Sequence, residues 1–126
     1  MRLKFEFNPN MPIYLQIIEE IKRQIVFGER EPGSKIESVR DLAQIMGVNP
    51  NTMQKALSEL EKEGLIYTER TSGRFITLDK AIIIKTKLNL AKSKISEFVE
   101  YMYKIGFSKS EIIKLIEEFM GGNHND

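Results

Sequence analysis

Asn51, Thr52, Gln54 and Lys55 stand almost side by side in this 126-residue chain, with Ser58 one turn further on. Asparagine and glutamine each carry a donor and an acceptor spaced to pair with an adenine edge. Lysine reaches guanine or phosphate, and threonine can donate or accept. Displayed together on one helical surface, these side chains could read bases; the bland alternative is an ordinary solvated helix face. Asn49 and Pro50 come just before them. Asparagine is a good N-cap, and proline at the first helical position gives up an N–H that has no partner anyway. A helix that starts there also turns free N–H groups and a positive dipole end toward any phosphate.

The elements that must position these residues can be read from periodicity. Met53, Ala56, Leu57 and Leu60 form the inner stripe of the helix, which Gly64 ends. A shorter helix precedes it. Ser38 and Asp41 have capping-box spacing, and Val39, Leu42, Ala43 and Met46 fall at i, i+3, i+4 and i+7. Gly47 supplies a left-handed stop, and Val48 can plug the core. Two helices joined by such a turn follow the helix-turn-helix plan.

Before this pair, a helix is expected from Pro12 to about Phe27. Ile13, Ile17, Ile21 and Ile25 recur every four residues with Leu15 and Ile18 beside them, while Gln16, Glu19, Glu20, Lys22 and Arg23 should be mostly exposed. Leu3, Phe5 and Phe7 alternate like a short strand, and Pro32-Gly33 punctuates the loop at 29–35. After Gly64, two β-prone runs flank a glycine-containing turn and predict a hairpin, with Ile66 and Phe75 or Ile76 toward the helices. Its tip should carry Arg70, Ser72, Gly73 and Arg74. A basic tip with a glycine suits close approach to a phosphate backbone or a minor groove, so the hairpin would act as a wing.

From Asp79 the pattern changes. Ile84, Leu88, Ala91, Ile95, Phe98, Met102 and Ile105 make a heptad seam over three repeats. Gly106 breaks that helix. Ser108 with Glu111 opens another, expected to run to Met120 with Ile112, Ile116 and Phe119 on one face. Gly121-Gly122 should end it, and the last four residues should fray. Two helices in about 48 residues cannot enclose a core, so these faces need a partner, and a second copy fits better than the chain's own N-terminal part. The expected fold class is mainly α with a small β hairpin: a winged helix-turn-helix domain (1–78) followed by a two-helix dimerisation tail (79–126).

Composition narrows the function. There is no cysteine, and the one histidine, His124, sits near the end of the chain, so the usual nucleophile–base and metal constellations are missing. No catalytic residue, metal or cofactor is expected. No apolar run approaches the roughly 18 residues of a membrane span, and residues 1–8 lack a signal-peptide core. A cytoplasmic protein is expected. Residues 1–78 hold 11 Lys/Arg and 11 Asp/Glu, whereas nucleic-acid binders are usually basic. Only charges near phosphates release counterions, however, and Lys35, Arg40, Lys55, Arg70 and Arg74 belong to segments that could share a face. The neutral sum leaves a rival open, a winged-helix adaptor that binds protein rather than DNA.

Pro12-Ile-Tyr-Leu-Gln-Ile-Ile, Pro32-Gly-Ser-Lys, Ser38-Val-Arg-Asp-Leu-Ala, Gly47-Val-Asn-Pro-Asn-Thr and Glu61-Lys-Glu-Gly-Leu-Ile occur in that order. Together they resemble the GntR family of bacterial transcription regulators over about residues 11–78, and the short helical tail resembles its YtrA subfamily. The resemblance implies a winged helix-turn-helix repressor that binds an operator in double-stranded DNA as a homodimer. Such repressors often control their own operon and adjacent transporter genes. It matches Arg40 to a DNA-contacting arginine, Asn51, Thr52 and Gln54 to recognition-helix contacts, and Gly73 to the wing glycine. Glu37 departs from the family's proline before Ser-Val-Arg and sets a negative charge near the presumed DNA face. Pro50 and Gln54 stand where some branches have arginine, so no operator sequence is carried over, and no effector is assigned.

Overall fold

The structure is a computed structural model that describes residues 6–123, with side chains through Gly121. It comprises two compact units that divide between Lys87 and Leu88. In the first unit, α1 (Ile13–Val26), α2 (Val39–Met46) and α3 (Pro50–Lys62) are followed by β1 (Ile66–Glu69) and β2 (Gly73–Ile76). Helix α4 (Lys80–Lys104) begins in this unit and continues into the second, which also holds α5 (Lys109–Asn123). The first unit reaches beyond residue 78 because Ile82 and Ile83, on the opening turn of α4, pack against the winged core.

That core is built from the stripes read above. Ile17, Ile21 and Ile25 of α1 meet Leu42 and Met46 of α2 and Met53, Leu57 and Leu60 of α3, all buried. Burying each such side chain contributes roughly 1.5–3 kcal/mol. Two expectations about α1 need correction. Ile13 and Leu15 are exposed, whereas Gln16 is buried. The turn at residues 8–11 folds over Gln16, whose Oε1 accepts from the Asn8 N–H at 2.7 Å. Its Nε2 donates to the carbonyls of Asn8 at 2.7 Å and Met11 at 2.9 Å. The buried amide thus satisfies backbone groups that would otherwise be left unpaired. Of the alternating residues near the start, Leu3 and Phe5 lie outside the described residues, and Phe7 packs on the core without joining a strand.

The hairpin is antiparallel, with Ile66 opposite Ile76, Tyr67 opposite Phe75, Thr68 opposite Arg74 and Glu69 opposite Gly73. Strand alternation sets Ile66, Thr68, Arg74 and Ile76 on one face. Tyr67 and Phe75 stack on the other, ring centroids 5.6 Å apart, so Ile76 rather than Phe75 is the residue buried toward the helices. The loop before α2 runs beside β2. Gly33 N–H donates to the Ile76 carbonyl at 2.8 Å, Ile76 N–H to the Ser34 carbonyl at 2.9 Å, and Ile36 N–H to the Arg74 carbonyl at 2.9 Å. This tethers the approach to the helix-turn-helix to the wing.

In the second unit Gly106, at φ +100°, ends α4. The amide of Phe107 returns to the Met102 carbonyl at 3.0 Å. The capping box opening α5 is reciprocal: Ser108 N–H donates to Glu111 Oε1 at 2.8 Å, and Glu111 N–H donates to Ser108 Oγ at 3.3 Å. Helix α5 runs on to Asn123 instead of stopping at Gly121, which does not take the left-handed backbone that would terminate it. Residues 124–126 lie outside the described residues.

Hydrogen bonds from the Ser108 backbone N–H and side chain hold the Glu111 carboxyl below the usual glutamate range. A depressed folded-state pKa means that the cap's contribution is complete above the unfolded pKa and is lost as pH falls through the folded one. An NMR titration should therefore find Glu111 protonating below the ordinary glutamate range. Titration of Glu111 within that range would show that the cap does not form in solution.

Candidate nucleic-acid interface

The turn between α2 and α3 has the local chemistry that its sequence implies. Ser38 Oγ accepts from the Asp41 N–H at 3.1 Å, capping α2. Gly47 ends that helix at φ +71°, where a side chain would be strained. Asn49 Oδ1 accepts from the Asn51 N–H at 2.7 Å, and Pro50 occupies the first turn of α3. The side-chain oxygens of Ser38 and Asn49 are thus engaged in fixing the two helix starts. What α3 leaves outside is the expected set: Asn51, Gln54, Lys55 and Ser58 are exposed and Thr52 is half-buried.

Two of these side chains are held from neighbouring elements. Lys55 Nζ lies 3.8 Å from the centroid of the Tyr14 ring on α1, a cation–π contact that periodicity alone gave no reason to expect. Gln54 Nε2 donates to Ser58 Oγ at 3.0 Å, and its Oε1 accepts from Arg74 at 3.5 Å. Arg74 is therefore not at the wing tip with Arg70 and Ser72. It lies in β2, and its guanidinium turns back toward α3, with Nε 4.0 Å from Glu61 Oε1. Strand alternation carried that signal, since Arg74 shares the face of buried Ile76.

The ion pairs explain how residues 1–78, with no net charge, can still face an anion. Lys22 pairs with Glu63, Arg23 with Glu20 and Glu29, Arg30 with Glu37, and Lys62 with Glu59. Arg23 is held so firmly by its two carboxylates that its pKa rises further above the ordinary arginine value. The Arg30–Glu37 contact, at 2.8 Å, partly neutralises the acidic residue that stood out beside α2. Among described residues 6–78, the cations without a carboxylate partner are Lys35, Arg40, Lys55 and Arg70; Lys80, Lys85 and Lys87 on the first part of α4 are also unpaired. The first four sit, in that order, on the loop tethered to the wing, the first turn of α2, α3 and the wing tip. Glu69, next to Arg70, is the acidic exception on the wing.

Gly73 has a positive φ of +111°, and a Cβ there would stand 3.1 Å from Lys35 Cε. The missing side chain leaves room for Lys35 to lie across the wing beside Gly73. Arg40 is exposed on the first turn of α2, off the buried stripe.

The expected dimerisation residues divide. Met102 and Ile112 are buried at 9% and 4% exposure, so they hold α4 and α5 of the second unit together. Ile84, Leu88, Ala91, Ile95, Phe98, Ile105, Ile116 and Phe119 remain exposed. An apolar cleft of about 710 Å³ opens in the second unit, lined by Phe98, Met102, Leu115, Ile116, Phe119 and Met120. Among the described residues no group of His, Asp or Glu could hold a metal ion, and no helix is long and apolar enough to cross a membrane.

Residues 13–76 match the family described as bacterial regulatory proteins, gntR family. The chain is 36% identical over 120 residues to the HTH-type transcriptional repressor YtrA of Bacillus subtilis, covering 91% of this chain and 92% of that one. Its fold is similar to that of a GntR family transcriptional regulator from Listeria monocytogenes, with a TM-score of 0.79 and 40% identity, covering 89% and 98% of the two chains. It is also similar to the DNA-binding domain of AraR in complex with operator ORX1, with a TM-score of 0.54 and 32% identity over 60% of this chain and 95% of that one.

Proposed function

Because the chain belongs to the GntR family of DNA-binding transcription regulators, and within it to the YtrA subfamily, we propose that it represses transcription by binding an inverted-repeat operator as a homodimer. The observation that carries this reading is the distribution of unpaired cations. Lys35, Arg40, Lys55 and Arg70 accompany the exposed amides and hydroxyl at the start of α3, while the other arginines and lysines described between residues 6 and 78 meet carboxylates. In this reading Asn51, Thr52 and Gln54 meet base edges in the major groove, and Lys35, Lys55 and Arg70 hold the phosphate backbone from α3 and the wing. The N-termini of α2 and α3, capped by Ser38 and Asn49, add their N–H groups and dipoles. Repression follows from occupancy of the operator, acting in the cytoplasm on the protein's own operon and an adjacent transporter.

The exposed seam of α4 and the apolar cleft beside α5 support the dimer. Each Ile or Phe covered by a second copy contributes roughly 1.5–3 kcal/mol. Several per subunit offset an association cost of about 4–15 kcal/mol.

Titration of duplex DNA at increasing salt tests the interface. If all four cations of each subunit reach phosphate, the slope of log K against log salt should approach roughly −7, near −0.9 for each phosphate neutralised. The rival adaptor would give no saturable, salt-dependent shift at all.

A further inference from the structure

We propose that Arg74 sets the specificity of α3 by fixing which way the Gln54 amide points, rather than by holding the DNA backbone. The inference rests on the docking of α3 described above and adds a residue that itself touches no base.

The geometry is a relay across the hinge between wing and helix. Arg74 donates to Gln54 Oε1 at 3.5 Å, and Gln54 Nε2 donates to Ser58 Oγ at 3.0 Å. On the other side Arg74 Nε lies 4.0 Å from Glu61 Oε1, and Glu61 Oε2 accepts from Thr68 Oγ1 at 2.7 Å. Arg74 Nε is shielded from solvent and makes no hydrogen bond, and the side chain as a whole is only 24% exposed. The guanidinium is thus drawn into the junction of β1, β2 and α3, with Glu61 facing its charge.

The chemistry of the partners gives this relay a direction. A glutamine amide can flip, exchanging its oxygen for its nitrogen at little cost. Ser58 tolerates either orientation, because a hydroxyl both donates and accepts. Arginine only donates, so it admits the orientation with Oε1 toward β2 and rejects the reverse. In that orientation one lone pair and one N–H of the amide stay unused. These are the acceptor and donor that an adenine edge requires. Without Arg74 the amide would sample both orientations and present donor and acceptor in either order, so a helix docked in one way would no longer prefer one base.

Selection of bound duplexes from a random pool tests this with four full-length proteins: wild type, Gln54→Ala, Arg74→Met and Arg74→Lys. Methionine keeps the apolar stem of residue 74 and removes its donors; lysine restores a donor-only group. Gln54→Ala should reduce a preference of roughly 5- to 150-fold, the range for a bidentate contact, toward unity at one position per half-site. Arg74→Met should flatten that same position and no other, with the salt slope unchanged. Arg74→Lys should recover part of the preference. If Arg74→Met instead weakens every sequence by the same factor and lowers the salt slope by about one, Arg74 is a phosphate anchor and the proposal fails. If Gln54→Ala itself leaves the selected sequence unchanged, the docking of α3 is wrong and the proposal falls with it. Should the methionine variant not fold, the lysine variant decides: retained preference at the Gln54 position supports the relay, and uniform weakening contradicts it.

Discussion

Ile95→Glu is expected to yield monomers whose winged unit is folded but which no longer bind the operator at concentrations where the wild type does. Ile95 is 60% exposed on α4, at the middle of the seam that runs from Ile84 to Ile105, and it belongs to the second unit. The core of the winged unit contains no part of it. In a two-fold dimer the change occurs twice. Each copy forfeits roughly 1.5–3 kcal/mol of apolar burial, and burying an unpaired carboxylate costs several kcal/mol more. Against an association already working against about 4–15 kcal/mol, the sum is enough to separate the subunits. Losing the second subunit removes the effective-concentration gain from two linked half-sites, roughly 10²–10⁴-fold. Sedimentation of wild type and variant, followed by operator titration, reads both effects. A variant that sediments as a dimer would move the interface elsewhere, and a monomeric wild type that binds one half-site tightly would remove the need for one.

Arg40→Ala should weaken specific binding by about 1–3 kcal/mol without unfolding the protein. The side chain is exposed on the first turn of α2, and among the described residues it makes no ion pair. Its removal therefore strands no buried partner and opens no cavity. That distinguishes it from Arg23 and Arg30, which are ion-paired to Glu20 and Glu29 and to Glu37. Titration of one operator at fixed salt, with thermal unfolding as the control, measures the change. Equal affinities for the two proteins would exclude Arg40 from the interface.

The helix-turn-helix was legible because each local signal agreed with the next. Caps at Ser38 and Asn49, the stop at Gly47 and two apolar stripes leave one arrangement of α2 and α3. Burial of Gln16 was not legible. It depends on the turn at residues 8–11 folding over α1, and no periodicity records which backbone groups a buried amide will meet. Arg74 illustrates a different limit. Alternation places it on the helix-facing side of β2, but charge and nearness to the turn suggest the tip. Only the position of Glu61, thirteen residues away on α3, resolves the conflict. In the tail, heptad spacing marks apolar positions without saying which are used inside the chain. Met102 and Ile112 are buried there, while Ile105 and Phe119, with equal claims in the pattern, stay exposed. The zero net charge misled for a related reason, since a sum cannot tell a paired cation from a free one.

The central claim is that two copies of α3 read one DNA site together. Selection of duplexes bound by the wild-type protein, followed by footprinting of the enriched sequence, tests it most directly. The predicted result is an inverted repeat whose half-site centres lie about one turn apart, roughly 10–10.5 base pairs, with both halves protected. A pool that never enriches, or one that converges on a single unrepeated half-site, would contradict it.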